Sequence, residues 1–243
     1  MTVYDQMCEL LAEVSKSVTA MESEYEAAKS NPDLKAILRP TVKSSLEHLR
    51  SALEYSAHAL RMKHCKAPKS RENVYFPYAE TESVYRIKLD SNLPRLERSC
   101  SAAADIVASV QPFKCGDDWL LKLCRQTNFN KHQGFSSQTR VNSPGTQVSI
   151  GRLATLRGGS TITFNNCSYD GKLIGNGTPV TLSDSMSDEQ LHTQLGSDTN
   201  LSIRRQFDWV EFKFGDTAED TLELIKRSQA HIAAYCGEIE PYL

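Results

Sequence analysis

The spacing of apolar residues changes character once along this chain, and that change constrains the fold more than any other feature. Up to His132 they recur at helical spacing; between Ser136 and Gly215 they alternate, with β-branched residues and turn signals. Residues 3–29 contain no Pro or Gly and place Val3, Met7, Leu10, Leu11, Val14, Val18 and Met21 on one face, which predicts a long amphipathic helix ended by Asn31-Pro32. A second helix is predicted over 41–64, with Leu46, Leu49, Leu53, Ala57 and Leu60 as its stripe. An extended connection at 73–77 follows, then helices over 80–89 and 93–110, with Pro94 in a first turn. After Gln111-Pro112-Phe113, the Gly116-Asp117-Asp118 cap opens a helix running to His132 and stopped by Gly134.

Beyond that point the strand candidates are 147–153, 160–166, 177–183 and 207–215, with tight turns at Gly158-Gly159 and Asp170-Gly171. Residues 184–199 read as a polar loop around a short helical turn. The chain closes in a helix capped by Asp216-Thr217, whose buried face is Leu222, Ile225, Ile232, Ala233 and Cys236. A lone helix after a sheet must bury that face, and the N-terminal helices are the available partner. The expectation is an α+β chain: a bundle of about four to five helices at 1–135, an antiparallel β-rich insert at 136–215, and a helix at 216–243 returning to the bundle.

Bulk composition narrows the function classes. With 243 residues the chain can bury a sizeable core without metal or disulfide staples. Its seven cysteines are odd in number and lack a CxxC pair, which reads as small buried residues in a reducing compartment. No metal or other cofactor is expected. The first residues carry Asp5 and Glu9 rather than a basic start with an apolar run, and no apolar window is long enough for a bilayer; a cytoplasmic, membrane-free protein is expected. A net charge of -2 makes the whole molecule no electrostatic trap for nucleic acid. One local run, RMKHCKAPKSR at 61–71, is purely basic: Arg61, Lys63, Lys66, Lys69 and Arg71 could meet RNA phosphates or simply be solvated.

Chemistry concentrates on the helix at 117–132. Leu121, Arg125, Asn128 and His132 are four, three and four residues apart, so they share one stripe with Lys131 beside it. Polar groups on such a stripe either join a buried network or line a cleft. In the first case Arg125, Asn128 and His132 are structural. In the second they suit a phosphodiester site: Arg stabilises charge on the phosphorane, while His, titrating near neutrality, moves a proton. Arg50 and Glu54 on the second helix are four apart, and Glu54 is a natural orienting partner for Arg125 or His132. Phosphate-loop, dinucleotide, zinc-protease and nucleophile-elbow motifs are all missing.

Four segments taken together, LRSALEYSAHAL (49–60), YFP (75–77), QPF (111–113) and NFNKH (128–132), resemble a group of poorly characterised bacterial proteins similar to the HEPN superfamily. The resemblance implies a HEPN-like helical bundle with a late β insert. Many HEPN proteins are metal-independent ribonucleases of toxin–antitoxin or phage-defence systems, with an Arg-x(4–6)-His motif brought into one cleft by homodimerisation. Arg125 and His132 match that motif with six residues between them, although Gln126 stands where active members carry Asn, Asp or His. Catalysis would fall to Arg125, His132 and Asn128, with Arg50, Glu54 and Lys131 in support and a cognate antitoxin or defence protein as partner. The resemblance equally covers non-catalytic HEPN modules for binding or dimerisation, so both readings stay open.

Overall fold

A computed structural model describes residues 1–69, 72–132, 134–196, 201–215 and 217–243. The helical half contains α1 (Val3–Ser30), α2 (Arg39–His64), α3 (Glu82–Asn92), α4 (Leu96–Ser99), α5 (Ser101–Ser109), α6 (Pro112–Cys115) and α7 (Trp119–His132). Strands β1 (Gln138–Asn142), β2 (Thr146–Ile150), β3 (Ala154–Arg157), β4 (Thr161–Phe164), β5 (Ser168–Tyr169), β6 (Lys172–Leu173) and β7 (Val180–Ser183) follow. The chain continues through α8 (Asp188–Leu195), β8 (Ile203–Phe207), β9 (Val210–Phe214) and α9 (Thr221–Ile239). It forms two compact units: Met1–Ser23, Ala36–Thr139 and Phe212–Leu243 make the first, and Glu24–Lys35 with Arg140–Glu211 make the second.

These findings correct the expected fold class. The chain is mixed helix and strand, with its strands in several small antiparallel sheets, and a mainly helical bundle carrying one late insert does not describe it. The boundaries differ as well, because the last turns of α1 and the loop after it belong with the strands.

The first unit is organised by narrow apolar stripes. In α1, Met7, Val14 and Met21 are fully buried at every seventh position, the spacing of a helix packed along one seam. Pro40 sits in the first turn of α2, where its missing N–H costs nothing. Leu46, Leu49, Leu53 and Leu60 then bury against α7 and α9. The helix expected over 93–110 is broken: Pro94 turns Leu93 out of helical geometry, Arg95 takes φ 63°, and Cys100 is non-helical between α4 and α5. Asp117 starts α7 as expected, its Oδ1 accepting from Trp119 N at 2.9 Å. The predicted cap Asp216 lies outside the described residues. Asp220 caps α9, accepting from Glu223 N at 3.0 Å. The buried face of α9 is Leu224, Ile225, Ile232, Tyr235, Cys236 and Ile239, whereas Ala233 is exposed.

The second unit has a core of its own: Val148, Ile150, Leu156, Leu182, Leu191 and Leu195 are almost completely buried. Its central sheet runs β3-β2-β8, and β4 pairs with β7. Gly158-Gly159 is therefore no hairpin turn; it carries the chain from β3 in one sheet to β4 in another. Asp170-Gly171 does close the β5–β6 hairpin, both residues adopting positive φ as a two-residue turn requires. The strand expected over 207–215 is two strands, because Ser143 holds the break between them: its Oγ accepts from Asp208 N and its N–H donates to Trp209 O, both at 2.9 Å. Arg140 closes the end of α1, donating from Nη1 to the carbonyls of Asn31 and Leu34 and from Nη2 to that of Ala28.

Candidate functional site

Residues 74–79 in the first unit lie outside any helix or strand, so their backbone polar groups need other partners. Side chains supply them. Tyr75 N donates to Asn92 Oδ1 at 2.9 Å, and Phe76 N to Glu54 Oε2 at 2.5 Å. Gln111, fully buried, accepts from Ala79 N at 3.1 Å and donates to Pro77 O at 3.0 Å, copying the pairing of a neighbouring strand. Lys88 Nζ donates to Tyr78 O at 2.9 Å. Phe76 is thereby held in the core, edge-on to Tyr235 with ring centroids 5.5 Å apart.

Against this segment, α2, α3 and α7 complete a cleft of 460 Å³. At its base Arg50 donates from Nε to Glu54 Oε1 at 2.6 Å and from Nη1 to Cys124 Sγ, while its guanidinium lies 4.7 Å from the Tyr78 ring centroid. The Arg50 side chain is only 11% exposed. Burial works against its charge, but Cys124, Glu54 and Tyr78 outweigh that effect and hold it firmly cationic. Burial also pushes the Cys124 thiol up to about 12, so it stays protonated. Lys88 Nζ reaches within 4.5 Å of the Tyr78 centroid, giving that ring two cations. Tyr75, 53% exposed, and Lys131 stand at the rim. Asn128 is also exposed, with Nδ2 at 3.5 Å from Tyr78 Oη. Among the described residues Lys131 has neither a hydrogen bond nor an ion pair.

The predicted site residues divide. Arg50, Glu54, Asn128 and Lys131 all line the cleft. Arg125 and His132 are exposed on α7 but are not among its lining residues, and the stripe they share with Asn128 is no buried network. Glu54 instead accepts from Arg50 Nε on one oxygen and from the backbone of Phe76 on the other. Of the basic run, Arg61 is removed from any phosphate contact, being 3% exposed and donating to Asn92 O and Glu72 Oε1. Lys63 donates to Leu243 O, Lys66 and Lys69 are exposed, and Arg71 lies outside the described residues. Gln126, the odd residue of the Arg-His motif, is fully buried and accepts from Ser136 Oγ at 2.8 Å.

Lys88, Asn92 and Tyr78 enter the site without having been singled out, and Tyr75 only as part of the YFP segment. Lys88 and Asn92 are four apart on one helix face, a pattern too common to distinguish in sequence. Among the described residues no group of three or more His, Cys, Asp or Glu side chains is placed to hold a metal, and no helix is long and apolar enough to cross a membrane. Fold and site together define a protein of mixed helix and antiparallel strand with a cation-rich, tyrosine-walled cleft. Compared with known proteins, the chain matches no family model, no curated protein and no solved structure.

Proposed function

We propose that this chain binds single-stranded RNA and takes one nucleotide unit in the cleft walled by α2, α3, α7 and residues 74–78. The observation that carries this reading is the meeting of three cations, Arg50, Lys88 and Lys131, with the exposed ring of Tyr75, against a single carboxylate already paired to Arg50. Cations attract the phosphate, and an exposed aromatic face offers base stacking worth about 1–3 kcal/mol per base. Arg50 is pre-set by its partners, so little side-chain freedom is lost when an anion arrives. The volume falls within the range of about 300–1,000 Å³ usual for small-ligand sites, which suits a single nucleotide. The four segments resembling HEPN proteins supply or hold the cleft walls, which supports RNA as the ligand class.

Fluorescence anisotropy with a labelled single-stranded RNA tests the proposal. Binding should weaken with salt, and Lys88→Ala with Lys131→Ala together should weaken it by about tenfold or more. A wild-type protein that fails to bind, or a double variant of unchanged affinity, rejects the reading.

Metal-independent RNA cleavage is a second reading, favoured by the exposure of Arg125 and His132 on the α7 stripe that includes the cleft residue Asn128. His132 would accept the 2′-hydroxyl proton or protonate the leaving 5′-oxygen, and Arg125 would stabilise the phosphorane charge. His132→Ala should then abolish cleavage while RNA binding persists. Binding without cleavage by the wild type would leave a non-catalytic binding module. The resemblance extends the proposal to a homodimer and to a cognate antitoxin or defence partner; light scattering of the purified protein reads the first.

A further inference from the structure

Depth within the cleft orders its groups. Arg50 and Glu54 lie at the bottom, with side chains 11% and 23% exposed, over the fully buried Cys124. Phe76, 1% exposed, closes the same end beside them. Lys88 is half-buried, and Lys131 and Tyr75 stand at the rim. A phosphate at the Arg50 fork therefore lies deeper than the groups at the rim. An internal linkage at that depth needs room for backbone leaving on both sides, whereas a chain end needs it on one.

Charge points the same way. Three cations against one carboxylate leave an excess of two positive charges in the cleft. An internal phosphodiester brings one negative charge, whereas a terminal monoester brings about −1.5 to −2 at neutral pH and three acceptor oxygens. Arg50 uses Nε on Glu54 and one Nη1–H on Cys124, and a guanidinium has five N–H donors, so donors remain for a phosphate. Lys88 and Lys131 present ammonium groups along the way in.

We infer that the cleft selects a terminal phosphate monoester, with the phosphate at Arg50 and the attached base over Tyr75 at the rim. Such a group is found on the 5′-phosphorylated end of an RNA and on a free nucleoside monophosphate. This inference rests on the proposed nucleotide binding and narrows it to chain ends.

The test compares two labelled RNA hexamers of one sequence on the purified full chain, one ending in 5′-phosphate and the other in 5′-hydroxyl, with adenosine monophosphate and adenosine as competitors. The phosphorylated hexamer should bind about tenfold tighter, the size of one charge-assisted hydrogen-bond contribution. Lys131→Ala, at an exposed side chain, should shrink that preference while leaving the melting temperature unchanged. Displacement by adenosine monophosphate but not adenosine would make a free nucleotide sufficient as the source. A phosphate preference without such displacement would make the RNA end the source. Equal binding of the two hexamers overturns the inference and leaves RNA binding standing. Binding of adenosine monophosphate alone would keep the monoester and reject RNA. Failure of both hexamers and of the mononucleotide rejects both.

Discussion

Gln111 shows how much one polar side chain can organise. Its amide sits inside the first unit and meets the backbone of residues 77 and 79 as a strand would, so a segment without a ladder is still satisfied. Gln111→Ala strands a buried donor and a buried acceptor, and each costs about 1–3 kcal/mol. Chemical denaturation should show that loss, and RNA affinity should fall with it because the 74–79 wall loosens. Unchanged stability would mean that water replaces the amide without cost. Cys124 gives a second measurable effect. Its thiol has an ordinary value of 9.0 and is pushed up to about 12 in the fold, chiefly by burial. The unfolded chain therefore loses this proton first as pH rises. The stabilisation is complete below pH 9 and is lost between 9 and 12, at up to about 1.4 kcal/mol per pH unit. Urea midpoints measured from pH 8 to 10.5 should fall, and Cys124→Ala should flatten the slope whatever it does to absolute stability. An equal slope in the variant would contradict the assignment.

At the scale of elements, helix ends decide where the chain turns. Arg140 answers three carbonyls at the end of α1 from a position more than a hundred residues later, within the second unit. Burial lowers its pKa somewhat, yet guanidinium remains charged at any ordinary pH. Arg140→Ala should cost about 1.5–3 kcal/mol, as for hydrogen bonds from a charged donor. The loss should appear as faster amide exchange in the last turns of α1 and the loop to Lys35; protection equal to wild type would refute the capping role. Pro94 acts in the opposite sense. The helix expected over 93–110 starts only at Leu96, because the ring turns Leu93 out of helical geometry and Arg95 takes φ 63°, and Cys100 then separates α4 from α5.

At the scale of the molecule, the two units carry separate apolar clusters, which gives mutations separate addresses. Leu182 is fully buried in the second unit, and Leu182→Ala should cost about 2–5 kcal/mol. Exchange should rise first in β2, β4 and β7, with α2 and α7 still protected and RNA affinity retained. Simultaneous loss of protection in α2 would show that the units unfold as one. Periodicity is a local property, so α1, α2, α7 and the hairpin at Asp170-Gly171 were legible from neighbouring residues alone. The polar stripe of α7 was legible for the same reason, as was the Arg50–Glu54 pair, both members being four residues apart on one helix. What no local pattern encodes is which stripe meets which. Arg50 reaches Cys124 across 74 residues, and Gln111 closes on residues 77 and 79. Those contacts turned the cleft toward Asn128 and Lys131 and left Arg125 and His132 outside its lining. The division into units was equally invisible, since it depends on α1 lending its last turns to strands that begin far downstream. Sequence alone determined the local conformations, because propensity and spacing act within a few residues. Tertiary structure decided the partners, because desolvation and hydrogen-bond satisfaction are settled only when distant segments compete for the same buried space.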